Sequence, residues 1–228
     1  MRKESLERKT KETQISINLN LDGSGKSDIS TGIGFFDHML CAFAKHGGFD
    51  LEMKVTGDLE VDFHHTIEDC GIALGSLFEK ALGDKGGIER FADATVALDE
   101  ALSRVVVDIS GRPYLYFGLD FPRPSDGGGI NPWLFEEFFR GFVNNAKLTL
   151  STPAFLSIYA QSSPAIPPPI ISTSVDISPD SLSNLGISTP RDHTAFNSLS
   201  IFRPFLYSII IYIIAAEHKN KPVIRFCP

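Results

Sequence analysis

Two stretches, ETQISINLNLDGSG at 12–25 and EALSRVVVDISGRP at 100–113, follow one pattern. Each opens on glutamate, carries apolar residues through a strand-like run and ends at a glycine turn. Set at a spacing of 88, they match Glu12 with Glu100, Asn20 with Asp108 and Gly23 with Gly111. A second pair follows in the same order. FFDHMLCAFAKHGGFDL at 35–51 and LFEEFFRGFVNNAKLTL at 134–150 align at a spacing of 99, with Phe36 on Phe135, Phe43 on Phe142 and Leu51 on Leu150. Self-similarity that keeps the order of elements marks a duplicated unit. The expected class is α+β: a duplicated half-domain, each copy a small mixed sheet with two helices on one face, the second copy truncated.

Within the first copy, TQISINLNLDGSGKSDISTG (13–32) alternates around Asp22–Gly25 and predicts a β-hairpin. The run 35–48 has helical periodicity and a glycine stop. DLEMKVTGDLEV (50–61) predicts a strand pair around Gly57. TIEDCGIALGSLFEKALGDKGG (66–87) predicts a helix opened by Thr66, with acids in its first turn and glycine closing it.

The text changes near Leu150. Residues 1–150 hold 18 of the 19 glycines and 24 of the 28 acids, whereas 151–228 hold 10 of the 14 prolines. Triple proline at 167–169 neither continues a helix nor pairs in a central strand. The expected organisation is therefore a first half-domain over 1–93, an incomplete second over 94–150, and a poorly ordered Pro/Ser/Ile-rich tail over 151–228. The apolar run FLYSIIIYIIAA (205–216) is shorter than the roughly 20 residues a membrane span needs, so no membrane partner is expected.

A net charge of −7 argues against nucleic acid as the main partner. Three widely spaced cysteines form neither a CxxC nor a disulfide framework, and the charged start lacks a secretory apolar core. The expected location is the cytoplasm.

The chemistry concentrates in VDFHHTIEDCGIALG (61–75). On a helix starting near His64, His64 and Glu68 stand at i and i+4 on one face and can clamp one ion. His65 is turned about 100° away and points to a different ion. Imidazole and carboxylate without thiolate suit Mn, Zn or Fe. The bland alternative is a surface histidine pair or a feature of the helix start. His38, alone on an apolar helix, reads ordinarily as a satisfied core residue, and His46 before two glycines as a C-terminal cap. GSGKS (23–27) resembles the end of a phosphate-binding loop, but Asn20 stands where that loop needs glycine and a strand follows. Arg90 and Arg112 follow glycine turns and suit forked recognition of a phosphate.

Together TKETQISINLNLDGSGKSDISTGIGFFDHML, HGGFDL, DFHHTIEDCGIALG, GIERF, LDEAL and DISGRPYL, in this order, resemble the imidazoleglycerol-phosphate dehydratases of histidine biosynthesis. The resemblance runs from about Arg8 to Leu150 and covers none of the tail. It implies a hydro-lyase that converts imidazole glycerol phosphate to imidazole acetol phosphate with two manganese ions. It also implies a homo-oligomeric shell of 24 subunits with sites between them. By motif match His38, His64, His65 and Glu68 are the implied metal ligands. Glu137, the repeat-mate of His38, stands where many members carry a ligating histidine. Glu12 is the implied catalytic acid/base and a substrate contact, with Arg90 and Arg112 at the substrate phosphate and His38 and His46 also facing substrate.

One expectation of the repeat fails within the sequence. A second HHxxE is due near 163–167, where the chain reads Ser163, Pro164, Ala165, Ile166, Pro167. The expected chain is thus a dehydratase impaired by loss of its C-terminal ligands, with a frameshift or unspliced reading the simplest origin of its tail. The other expectation is a non-catalytic interaction or assembly module built on the same half-domain.

Overall fold

The computed structural model describes residues 2–98, 101–118, 131, 133–152 and 155–157. The first copy comprises β1 (Lys3–Lys9), β2 (Thr13–Asn20), β3 (Ser27–Ser30), α1 (Gly34–Gly47), β4 (Asp50–Gly57) and α2 (His64–Leu82). Its sheet runs β1-β2-β4-β3, antiparallel except for the parallel β3–β4 edge. The second copy comprises β5 (Phe91–Leu98), β6 (Ala101–Asp108), β7 (Tyr114–Phe117), α3 (Leu134–Ala146) and β8 (Thr149–Thr152). Its order β5-β6-β8-β7, again with one parallel edge, repeats the first. The mixed sheets of a duplicated α+β half-domain are as expected. Among the described residues the second copy has one helix of its own.

The hairpin expected over 13–32 does not form. β2 pairs instead with β1 in front of it, and β4 inserts between β2 and β3. Asp50, at the start of β4, holds the turn in this arrangement. Its Oδ1 accepts the backbone N–H of Ser24 at 2.8 Å and of Lys26 at 3.1 Å, tying the turn across the end of β4. Gly23 makes the crossing possible, because a Cβ there would lie 2.3 Å from the Asp50 nitrogen. These N–H bonds hold the Asp50 carboxyl below its ordinary range. Nor do residues 50–61 form a strand pair. β4 is one strand ending at Gly57, where a Cβ would meet Thr66 Oγ1 at 2.0 Å, so strand end and helix start touch.

Helix α2 begins at His64 rather than being capped by Thr66, and Asp62 Oδ1 accepts the His64 N–H at 2.7 Å. Thr66 is buried inside the first turn, and the expected acids fall later, in the second turn. The earlier start puts both histidines on the helix.

The two copies join through α2 and α3. A Cβ on Gly71 would lie 2.2 Å from the carbonyl oxygen of Phe138, and one on Gly75 would lie 2.3 Å from that of Phe142. Residues ascend together on both helices, so α2 and α3 run parallel with their backbones in contact. Phe36 meets Phe138 edge-on at 5.6 Å, and Phe78 meets Phe142 edge-on at 5.2 Å, sealing the seam with aromatic pairs from both copies.

Near the sequence boundary, β8 runs past Leu150 to Thr152, and β9 (Phe155–Ser157) pairs with β6. From the pair Val106–Ser151 to the pair Ser103–Phe155 the register slips by one residue. The expectations for the tail from 158 onward lie outside the described residues. No helix among the described residues is long and apolar enough to cross a membrane.

The copies differ at one helix end. α1 closes on Gly48 at φ 70°, whereas α3 closes on Lys147 at φ 51°, a left-handed conformation that strains a side chain by about 1–2 kcal/mol. In urea denaturation, Lys147→Gly is expected to gain about 0.5–1 kcal/mol, the strain relieved less the extra freedom of the unfolded chain. Gly71→Ala is expected to lose about 1–3 kcal/mol, because its Cβ forces two backbones apart.

Candidate active site

The first two turns of α2 present His64, His65 and Glu68, all partly exposed. His64 Nε2 lies 3.6 Å from Glu68 Oε2, the i,i+4 pairing expected of a two-residue clamp. The rings of His64 and His65 stand edge-on at 83°, so they address different directions. Asp58, in the turn between β4 and α2, places Oδ2 2.9 Å from His65 Nδ1. A carboxylate only accepts, so Nδ1 carries the proton and donates it, leaving Nε2 as the open lone pair. That arrangement orients a metal-ligating imidazole. Asp58 also holds the proton affinity of His65 above its ordinary value, with Glu12 adding a smaller effect through space. Asp58 Oδ1 is buried with no hydrogen-bond partner among the described residues.

The donor chemistry therefore fits a borderline transition metal in two parts, His64 with Glu68 and His65 backed by Asp58. Among the described residues, no three His, Cys, Asp or Glu side chains converge as a full cage. His38 is exposed on α1, which corrects its reading as a satisfied core histidine. Glu137 lies on the first turns of α3 with Oε2 3.7 Å from Arg140 Nε. His46 is exposed in the last turn of α1, where it complements the negative helix end. Burial pushes the Cys70 thiol up, so it stays protonated and supplies no thiolate.

Glu12 is exposed at the tip of the β1–β2 hairpin. Arg90 and Arg112 are exposed at the end of the second sheet. The Arg90 fork is already engaged: Nε donates to Asp108 Oδ1 at 2.7 Å and Nη2 to Oδ2 at 3.2 Å. Arg112 adds only a minor favourable charge at Asp108, whose partner is Arg90.

Four residues of this neighbourhood had no role in the sequence reading: Asp58, Asp69, Asp108 and Trp133. Trp133, at the head of α3, packs its ring 5.6 Å from that of His64. It stands 69 residues away along the chain and was reachable only through the parallel pairing of the helices. Asp69 adjoins Glu68 inside the quoted motif, and Asp108 is the repeat-mate of Asn20; neither position signals its partners.

Comparison with known proteins identifies the family. The family model for imidazoleglycerol-phosphate dehydratase matches residues 31–157, past the Leu150 at which the motif resemblance ends. The imidazoleglycerol-phosphate dehydratase of Gluconacetobacter diazotrophicus is 60% identical over 146 residues, covering 64% of this chain and 73% of the relative. That of Acidithiobacillus ferrooxidans is 56% identical over 149 residues, covering 65% and 74%. Among solved structures, the Staphylococcus aureus dehydratase superposes with a TM-score of 0.57 at 39% identity, covering 65% of this chain and 81% of that one. The Pyrococcus furiosus enzyme in complex with (S)-C348 gives 0.56 at 34% identity, covering 67% and 80%. Fold and relatives together define a hydro-lyase. The chain belongs to the imidazoleglycerol-phosphate dehydratase family of histidine biosynthesis.

Arg90 holds the Asp108 carboxyl below its ordinary 3.8. A carboxyl lowered on folding contributes stability that is complete above the unfolded value and lost as pH falls through the folded one. The gap in unfolding midpoint between wild type and Asp108→Asn is therefore expected to be open near pH 6 and to close in acid below about 3.8.

Proposed function

We propose that this chain catalyses dehydration of imidazole glycerol phosphate to imidazole acetol phosphate with manganese, and that its turnover is impaired. The observation that carries the metal reading is the Asp58–His65 hydrogen bond, which leaves Nε2 free beside the His64–Glu68 pair. In this reading His64, His65 and Glu68 hold metal, with His38 and Glu137 as further ligands. A bound divalent ion supplies Lewis-acid activation of a carbon–hydrogen bond that no neighbouring carbonyl acidifies. Glu12, carried on the hairpin tip, moves the proton. Arg90 and Arg112 orient the substrate through its phosphate, Arg90 with the edge of its guanidinium that Asp108 leaves open. His46 lies on the substrate side.

Among the described residues the ligands fall in pairs rather than a cage, which supports completion of each site by a second copy in a homo-oligomer. A phosphorylated substrate does not cross membranes unaided, which supports a cytoplasmic location. Impairment follows from the text of 151–228, whose histidines His193 and His218 offer neither a pair nor helical spacing to a glutamate in the manner of His64–Glu68. Metal affinity falls steeply when ligands are removed.

A dehydration assay on the purified chain with manganese, run beside the Gluconacetobacter relative, tests this reading. The expected result is turnover lower by on the order of 100-fold, with the residue abolished in Glu12→Gln. Turnover equal to that of the relative would contradict the impairment, and residual turnover unchanged in Glu12→Gln would contradict the role of Glu12.

A further inference from the structure

Asp69 is buried at 9% exposure, one residue beyond Glu68 on α2, and both its oxygens are used. Oδ1 accepts from Arg8 Nη2 at 2.6 Å. Oδ2 accepts from the Thr13 hydroxyl at 2.5 Å and lies 3.4 Å from that of Thr10. The two hydroxyls are themselves 3.1 Å apart. Since a carboxylate only accepts, the Thr13 proton points to Asp69, and the Thr10 proton points inward, to the Thr13 carbonyl at 3.5 Å, the Thr13 hydroxyl or Asp69. The lone pairs of Thr10 Oγ1 are thereby turned outward. They accept the backbone N–H of Glu12 at 3.2 Å and of Thr13 at 2.9 Å.

A directed chain of hydrogen bonds thus runs from the second turn of α2 to the amide of Glu12. Such chains polarise in one direction and strengthen link by link. As a device for stability alone the arrangement is poor. It buries a carboxylate and leaves Arg8 Nε buried without a hydrogen-bond partner among the described residues, where apolar packing would serve as well. What it does accomplish is geometric. The hairpin tip, already closed by the Thr10 N–H bond to the Thr13 carbonyl at 2.9 Å, is pinned in addition to the same helical turn that carries Glu68.

We propose that Asp69 is a positioning residue, which through Thr10 and Thr13 holds the Glu12 turn in register with the His64–Glu68 turn of α2. The consequence for the reaction rests on the reading of Glu12 as the group that moves the proton; the placement itself does not.

The test uses the full chain as wild type, Thr10→Val, Thr10→Ser and Asp69→Asn. Amide hydrogen exchange is read at Glu12 and Thr13 against the β2–β4 ladder at 15–19. Dehydration with manganese is followed for kcat and KM separately. Thr10→Val keeps the side-chain shape and removes the hydroxyl, so folding is preserved if Asp69→Asn proves too disruptive. Expected in Thr10→Val is exchange about 5- to 10-fold faster at 12–13 with the ladder unchanged. The same variant is expected to lose about 10- to 100-fold in kcat with little change in KM. Thr10→Ser restores both. Unchanged exchange at 12–13, or an equal rise along the ladder, overturns the proposal. Absence of turnover in the wild-type chain counts against the dehydratase reading, and the exchange result then decides the placement by itself.

Discussion

The contact between the backbones of α2 and α3 is the constraint on which the rest of the molecule depends. With glycine at 71 and 75, carbonyl groups of α3 approach to where side chains would normally stand. Direct packing at that distance fixes the direction and the register of both helices at once. It joins two half-domains that are each too small for a substantial core of their own. It also sets the helix beginnings side by side, which is how Trp133 comes to lie against His64. The aromatic pairs on either side of the seam then fill the volume that the glycines leave.

On this frame the site is a balance of opposing electrostatic effects. Partial burial disfavours the charged form of the His65 ring. Asp58 works the other way at His65, and its hydrogen bond is the larger influence. In the proposed metal site Asp58 would perform two tasks. Without metal it stabilises the protonated ring; toward a metal it orients the ring and raises its basicity as a ligand. Where the ring is protonated, uptake of a cation at Nε2 displaces that proton.

The duplicated α+β plan was legible because apolar periodicity and turn glycines are local signals, and the same ones occur twice. The pairing of the strands was not. Alternation over 13–32 announces two strands and a turn, but β4, more than twenty residues beyond that turn, separates them, with Asp50 tied to the turn at Ser24. The start near His64 is borne out, but its opening by Thr66 is not. Thr66 has the composition of a cap, yet the N-cap is Phe63, Asp62 accepts the His64 N–H, and Thr66 is turned inward against Gly57. The ligand candidates His64, His65 and Glu68 could be proposed from spacing along one helix, whereas Asp58, Asp69 and Trp133 act across turns and between helices. A histidine announces its chemistry in the sequence; the carboxylate that orients it does not.

The most direct measurement is quenching of intrinsic fluorescence by manganese, since Trp133 is the single tryptophan of the chain and its ring lies 5.6 Å from that of His64. If the first turn of α2 is the metal-holding face, titration with this paramagnetic ion quenches the emission saturably, and His64→Ala abolishes the effect. Manganese shown by electron paramagnetic resonance to be bound while the emission is unchanged, or quenched equally in His64→Ala, would contradict it.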